Sequence, residues 1–154
     1  MKKALITFVL VFIPGIISFA QESKIAFGYG AEMNINTEYG VGGGATLSFD
    51  VNMLQQLATG ARISLNGDPH YNGILELAVM GRWYFSSFHK GFFMQGNLGL
   101  SMISLKDKYS FCEILAGVHG GYRLPFKEFF YVEPYLRVGY PFIFGIGVVA
   151  GIRR

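Results

Sequence analysis

Two charged side chains stand in an otherwise apolar and aromatic stretch, VEPYLRVGYP, near the C-terminus of the 154-residue chain. They are Glu133 and Arg137. A carboxylate and a cation in such a setting can carry out acid–base chemistry, line a path for ions, or stabilise each other as a buried pair. Seven more candidates of this kind lie in other apolar stretches: Glu32, Arg62, Glu76, Arg82, Glu113, His119 and Arg123.

Catalysis is the least supported of these possibilities. A nucleophilic site needs a nucleophile, a base and an orienting acid within hydrogen-bond distance. His119 is the only histidine in a predicted strand, whereas His70 and His89 fall in predicted turns, and the SSFH segment that holds Ser87 and His89 has no acidic neighbour. Three scattered histidines and the single Cys112 lack the spacing of a metal site. We therefore predict no enzymatic activity, no metal and no cofactor.

The first twenty residues predict export. A short basic start precedes an apolar run from Ala4 to Phe19, and Ser18-Phe19-Ala20 supplies the small residues of a cleavage site, so a signal peptide should span residues 1–20. Its removal lowers the formal net charge from +3 to +1, which argues against a nucleic-acid partner. A lone cysteine excludes an internal disulfide. The mature chain, residues 21–154, is long enough for one domain.

The mature chain alternates with a period of two, which is typical of β-strands. From Phe142 to Ile152 the even-numbered residues are all apolar, whereas the odd-numbered ones are mostly small. Turn-like segments interrupt the alternation seven times and predict eight strands of roughly ten residues, a length that crosses a bilayer when tilted. The predicted breaks are Asn34–Gly40, Val51–Gln56, Asn66–Asn72, Ser86–Lys90, Ser104–Ser110, Pro125–Glu128 and Tyr140-Pro141.

Two architectures fit eight alternating strands. A soluble lipocalin-like barrel turns its apolar face inward, and an outer-membrane barrel turns it outward. The second face of these strands is rich in glycine and other small residues, which suit a narrow lumen better than a water-facing surface. Aromatic residues cluster at strand ends, around Trp83 and around Phe130, which is typical of the interfacial girdles of a membrane barrel.

A family resemblance agrees with this choice. The chain combines a signal peptide, alternating strands, RWYF before a short turn, and FYVEPYLRVGYPF leading into GIGVVAGIRR. In this order of features it resembles the small eight-stranded outer-membrane β-barrels, such as the OmpA transmembrane domain, OmpX and OmpW-like proteins. The resemblance implies an all-β, eight-stranded antiparallel up-and-down transmembrane barrel. It also implies outer-membrane lipid and the barrel-assembly machinery as partners, although this chain ends in Arg153-Arg154 where such proteins usually end in an aromatic residue.

With the apolar face on lipid, strand parity sends the charged residues to the lumen. The predicted interior network consists of Glu32, Arg62, Glu76, Arg82, Glu113, His119, Arg123, Glu133 and Arg137, with Asp50 nearby. Symmetric hairpins would make some of these residues cross-strand neighbours. The predicted pairs are Arg62 with Glu76, Glu133 with His119, and Arg137 with Glu113.

The sequence thus predicts an outer-membrane barrel with a packed, salt-bridged lumen and a structural or membrane-integrity role. Both termini should face the periplasm, and the outer loops are short. A narrow pore for small solutes is the first alternative, although wide channels belong to barrels of about sixteen strands. A periplasmic ligand-binding β-barrel is the second.

Overall fold

The computed structural model of the chain describes residues 25–36, 40–68, 71–88, 90–105, 110–126 and 128–154. The predicted signal peptide therefore lies outside the described residues. Eight strands make up the fold, in chain order: β1 Ile25–Asn36, β2 Gly40–Leu54, β3 Leu57–Asp68, β4 Tyr71–Tyr84, β5 Gly91–Leu105, β6 Ser110–Phe126, β7 Phe130–Tyr140 and β8 Phe144–Arg153.

The strands form a closed barrel in which each one pairs with its sequence neighbours, and β8 returns to β1. Every pairing is antiparallel. Backbone hydrogen bonds of 2.9 and 2.8 Å join Ile25 and Arg154, so the two ends of the described chain meet at one end of the barrel, called here the termini end. The predicted all-β, eight-stranded antiparallel up-and-down fold is confirmed.

The strands are longer than the sequence indicates. The expected length was about ten residues, but β2 and β5 have 15 residues and β6 has 17. The turns are correspondingly tight, and the β2–β3 connection consists of Gln55 and Gln56. Within the described ranges, no helix is long and apolar enough to span a membrane.

The large apolar side chains point out of the barrel. In β1 burial alternates strictly, and Tyr29 and Met33 are 68% and 57% exposed while Glu32 and Asn34 are 5% and 0% exposed. The same arrangement holds in β8, where Phe144 and Ile146 point outward and Gly145 points inward. The predicted orientation, with the apolar face outward, is confirmed. It differs from the orientation of a soluble lipocalin-like barrel, in which the apolar face points inward.

The aromatic residues divide between the two faces. Trp83, Phe85 and Phe130 are about half exposed on the outer surface, as girdle residues should be. Other members of the same sequence clusters point inward and are at most 3% exposed: Tyr84, Phe88, Phe93, Tyr131 and Phe142. The interpretation of these clusters as girdles was thus only half right, because neighbouring residues of a strand face opposite sides.

Glycines on β8 make room for the lumen side chains. A Cβ atom at Gly147 would overlap the phenol ring of Tyr135, and one at Gly145 would lie 2.7 Å from Cγ of Arg137. Both residues of β7 point inward and are buried. The small face of β8 therefore positions the large polar side chains of β7.

Candidate functional site

Four charged residues fill the lumen on the side of the termini end and are called here the proximal quartet: Asp50, Arg82, Arg123 and Glu133. Nη1 of Arg82 lies 3.3 Å from Oδ2 of Asp50 and 3.0 Å from Oε1 of Glu133. Nη2 of Arg123 lies 3.0 Å from the same oxygen of Asp50, and its Nε donates to Oε1 of Glu133. None of the four side chains is more than 4% exposed. Each arginine therefore contacts both carboxylates.

Neutral groups satisfy the remaining donors of the two arginines. Nε and Nη2 of Arg82 donate to Oε1 of Gln95 at 2.8 and 2.5 Å, and Nη1 donates to the hydroxyl of Tyr84 at 2.9 Å. Nη1 of Arg123 donates to the carbonyl of Phe88 at 3.0 Å. The Arg123 guanidinium also lies 4.2 Å from the ring centroid of Tyr131. Charge-assisted bonds and cation–π contacts together fix both guanidinium groups.

A second set of four, called here the distal quartet, lies farther from the termini and consists of Glu32, Arg62, Glu76 and Arg137. Arg137 binds Glu76 through two bonds of 2.8 and 2.9 Å and reaches Oε1 of Glu32 at 3.1 Å. Nη2 of Arg62 donates to Oε2 of Glu32. The four side chains are at most 6% exposed. Glu32 thus connects the two arginines.

Tyr135 and His119 complete the distal quartet. The Tyr135 hydroxyl accepts from Nη2 of Arg62 at 2.5 Å and donates to Oε2 of Glu32 at 2.6 Å. The ring of His119 stacks on that of Tyr135 with a centroid distance of 5.3 Å and an interplanar angle of 7°. Nδ1 of His119 lies 3.4 Å from Nη1 of Arg62. The imidazole ring of His119 therefore packs flat against Tyr135, beside the distal quartet.

Each quartet contains two carboxylates and two arginines, so each is formally neutral. Buried charges are tolerated when they are paired and hydrogen-bonded, and removal of one partner leaves an uncompensated charge in a low-dielectric interior. Removal of any one member of a quartet should therefore be destabilising.

Two clusters of buried aromatic and aliphatic side chains lie toward the two ends of the lumen and are called here the apolar caps. Near the termini end these are Tyr84, Phe88, Phe93 and Tyr131, and at the opposite end they are Ile74, Ile103 and Phe142.

A cavity of about 10 Å³ lies beside the distal quartet and is bordered by Asn97, whose Nδ2 has no hydrogen-bond partner among the described residues. That space holds about one water molecule.

Eight of the nine predicted network residues lie in the lumen, and Glu113 does not join them. It is half-buried and accepts from the hydroxyl of Tyr140 instead. Glu113 and His119 face the same side of β6, as predicted, but this alternation does not give the position of a residue along the barrel axis. The last pair between β6 and β7 is Ala116 with Tyr140, so Glu113 lies three residues beyond the end of β7. Asp50, predicted only to lie nearby, is the fourth carboxylate.

The predicted neighbour pairs are wrong. Glu76 lies opposite Ser64 rather than Arg62, because the innermost β3–β4 pair is Asp68 with Tyr71 and the register shifts by one further residue between Asp68 and Asn66. His119 lies opposite Arg137 rather than Glu133, because the innermost β6–β7 pair is Phe126 with Phe130 and the turn therefore centres on Glu128 rather than Phe126. The same displacement moves Arg137 away from Glu113.

The ion pairs mostly join strands that are not neighbours. Glu76 on β4 binds Arg137 on β7, and Asp50 on β2 binds Arg123 on β6. The lumen of an eight-stranded barrel is narrow enough for an arginine side chain to reach across it. Register arithmetic considers only adjacent strands and misses such partners.

The described geometry does not resemble a nucleophilic or metal site. The contacts of His119 are to a guanidinium and a phenol, and His70 and His89 lie outside the described residues. Within the described ranges, no group of three or more His, Cys, Asp or Glu side chains could hold a metal ion. The chemistry of the lumen is that of mutual charge compensation.

Comparison with known proteins gives structural matches but no sequence matches. No family model and no curated protein matches the chain. The fold is similar to the N-terminal β-barrel domain of Pseudomonas aeruginosa OprF, with a TM-score of 0.63, 12% identity, and coverage of 87% of this chain and 98% of that one. It is also similar to Neisserial surface protein A, with a TM-score of 0.61, 11% identity, and coverage of 85% of this chain and 95% of that one. Ail, the attachment invasion locus protein of Yersinia pestis, matches with a TM-score of 0.52, 12% identity, and coverage of 86% of this chain and 97% of that one. The chain therefore has the eight-stranded barrel fold of these outer-membrane proteins.

Proposed function

We propose that this protein is an outer-membrane β-barrel whose packed, salt-bridged lumen serves a structural, membrane-integrity role. The observation that carries the proposal is the pair of neutral quartets between the two apolar caps. The ion pairs within each quartet join strands that are not neighbours in the wall. Such an interior fixes strands from opposite sides of the barrel to each other. Among the described residues, guanidinium and carboxylate groups occupy the cross-section of the lumen at two levels, which disfavours passage of a solute.

The outer surface supports the membrane location. Large apolar side chains on every strand point outward, and aromatic residues gather near the termini end. In lipid, every backbone polar group must be satisfied within the protein, and a closed barrel of paired strands does so. An N-terminal export signal and an even number of strands would place both termini in the periplasm. The short hairpins at the other end would then face outside.

A narrow pore remains the second candidate, supported by the small cavity beside Asn97 and by the polar character of the whole lumen. Conduction would require at least one quartet to separate, because guanidinium and carboxylate groups occupy its cross-section. The structural role requires no such rearrangement and is preferred.

Two measurements test the proposal. The mature chain, purified and refolded, should require detergent or lipid, and unheated protein should migrate on SDS gels as a compact, heat-modifiable species. Protein that stays folded and monodisperse without detergent would exclude the membrane location. In planar bilayers the wild-type barrel should give no single-channel steps, and reproducible steps would favour the pore over the packed lumen.

A further inference from the structure

The small cavity beside the distal quartet has a mostly polar lining. Eight described residues line it, and all of them are at most 8% exposed. Six of the eight are polar or charged: Arg62, Ser64, Glu76, Asn97, His119 and Arg137. A cavity of about 10 Å³ can hold one water molecule when at least two polar groups face it. The lining of this cavity satisfies that condition.

Two amide side chains on the inner face of β5 lead from the proximal quartet to this cavity. Oε1 of Gln95 accepts from Nε and Nη2 of Arg82 at 2.8 and 2.5 Å, and Nε2 of Gln95 donates to Oδ1 of Asn97 at 2.6 Å. A guanidinium group can only donate, so the oxygen of Gln95 must face Arg82. The orientation of the Asn97 amide follows, because its oxygen must then accept from Nε2 of Gln95.

This orientation makes Nδ2 of Asn97 a buried donor that no described group accepts from. Asn97 is only 7% exposed, and its Nδ2 has no hydrogen-bond partner among the described residues. A buried donor without a partner is costly, and native structures almost always pair such a group with protein or with ordered water. Asn97 borders the cavity, so the cavity is where a partner can lie.

Acceptors with unused capacity border the same cavity. Each carboxylate oxygen of Glu76 accepts one bond from Arg137, at 2.8 and 2.9 Å, and a carboxylate oxygen can accept a second. Oγ of Ser64 accepts from Nε of Arg62 at 3.2 Å and donates to Oγ1 of Thr46 at 3.0 Å, so it too can accept one more bond. The cavity therefore offers both a donor and acceptors to a small polar molecule.

We propose that this cavity binds one water molecule, which accepts from Nδ2 of Asn97 and donates to the carboxylate of Glu76. The inference rests on the packed lumen of the proposed function. A chain of hydrogen bonds then runs from Arg82 through Gln95, Asn97 and the water to Glu76, so the proximal and distal quartets form a single network. Hydrogen bonds in such a chain polarise and strengthen one another.

The groups around the cavity favour water over an ion. A cation would meet the amide N–H groups of Asn97 and the guanidinium groups of Arg62 and Arg137, whereas an anion would meet the carboxylate of Glu76. The distal quartet is formally neutral, so it offers no net charge to either kind of ion. Water can accept from the first set of groups and donate to the second.

The chain offers a matched pair of variants. Ala78 on β4 lines the cavity and is 8% exposed, so the two added methyl groups of Ala78→Val should fill the space that the water needs. Ala61→Val makes the same change at an exposed, outward-facing position of the neighbouring strand β3. Any general effect of a valine on refolding or on the detergent micelle should be equal for the two.

The experiment is water-selective NOE spectroscopy of the isotope-labelled barrel, refolded in detergent micelles. In wild type and Ala61→Val, the Nδ2 protons of Asn97 should show a cross-peak to water with the sign of a long-lived, bound molecule. Ala78→Val should lose this cross-peak. The proposal is overturned if wild type lacks the cross-peak, if Ala78→Val keeps it, or if Ala61→Val loses it as well.

A salt comparison distinguishes water from an ion. The chemical shifts of the Asn97 side-chain amide should be the same in sodium chloride and in potassium bromide, and shifts that follow the salt would identify an ion and overturn the proposal. The wild-type spectrum and this comparison decide the question even if Ala78→Val does not refold. Heat-modifiable migration and planar-bilayer conductance report separately on the packed barrel, so failure of the water site and failure of the proposed function are distinguishable.

Discussion

Glu76 on β4 and Arg137 on β7 meet across the lumen in a bidentate pair with N···O distances of 2.8 and 2.9 Å. The two strands are separated by β5 and β6 around the wall of the barrel. A bidentate carboxylate–guanidinium pair is both strong and directional. This contact therefore joins two distant sectors of the wall and should be a principal determinant of barrel stability.

Replacement of Glu76 by Gln should lower the free energy of unfolding by about 3 kcal/mol, because Arg137 then keeps only Glu32 as a buried counter-charge. The measurement is urea unfolding of the refolded barrel in lipid vesicles. The same change at Glu113, which is half-buried and outside both quartets, is the matched control and should cost less than about 0.5 kcal/mol. Similar losses at both positions would show that the quartet has no special role.

A double-mutant cycle tests the pair directly. Glu76→Gln and Arg137→Met should each be strongly destabilising, but the double variant should be more stable than the sum of the two losses, by at least about 1 kcal/mol. The reason is that the second change removes the charge that the first one left unpaired. Strictly additive losses would contradict the bond seen between these two residues.

Substitution of Gly147 tests how tightly the lumen is packed. Gly147→Val should prevent refolding to the heat-modifiable form, because a Cβ atom there overlaps the ring of Tyr135, and overpacking of a filled interior forces side chains and backbone to shift. Gly96→Val introduces the same side chain on the outer face, where the space is open, and should refold like wild type. Equal refolding of both variants would mean that the lumen is looser than described.

The apolar cap near the termini end should contribute stability without acting as a gate. Phe88 is 1% exposed and packs at 5.5 Å against Tyr84. Phe88→Ala should therefore cost about 3–5 kcal/mol in urea unfolding, and bilayers containing the variant should still show no conductance, because the quartets remain in place. Phe129→Ala, which shortens an exposed aromatic residue at the same end, is the control and should cost much less. Channel steps that appear only in Phe88→Ala would assign the gate to the cap.

The seven turn-like breaks were sufficient to predict the strand number, and the small second face together with the family resemblance predicted the barrel. The period-two pattern predicted the side each charge faces, because alternation along a strand is fixed by backbone geometry. It could not predict which charges meet. Asp50 and Glu113 share the inward parity, yet only Asp50 reaches an arginine, because strand ends set the height of each residue in the lumen. Partners such as Glu32 and Arg62 sit on strands that are not adjacent, and their contact depends on the barrel's curvature and on side-chain length.

The position of the hairpins predicts the topology of the chain in the membrane. Ser110 is exposed and begins β6 at the end of the barrel opposite the termini. In a Cys112→Ser background, Ser110→Cys should react with a membrane-impermeant maleimide on intact cells, because that end should face outside. A cysteine placed at Gln55 in the β2–β3 turn of the same background, at the termini end, should react only after the outer membrane is permeabilised. Both substitutions are in exposed positions and should leave the heat-modifiable migration unchanged. Labelling of position 55 but not position 110 on intact cells would reverse the orientation, and labelling of both without permeabilisation would place the protein outside a sealed membrane.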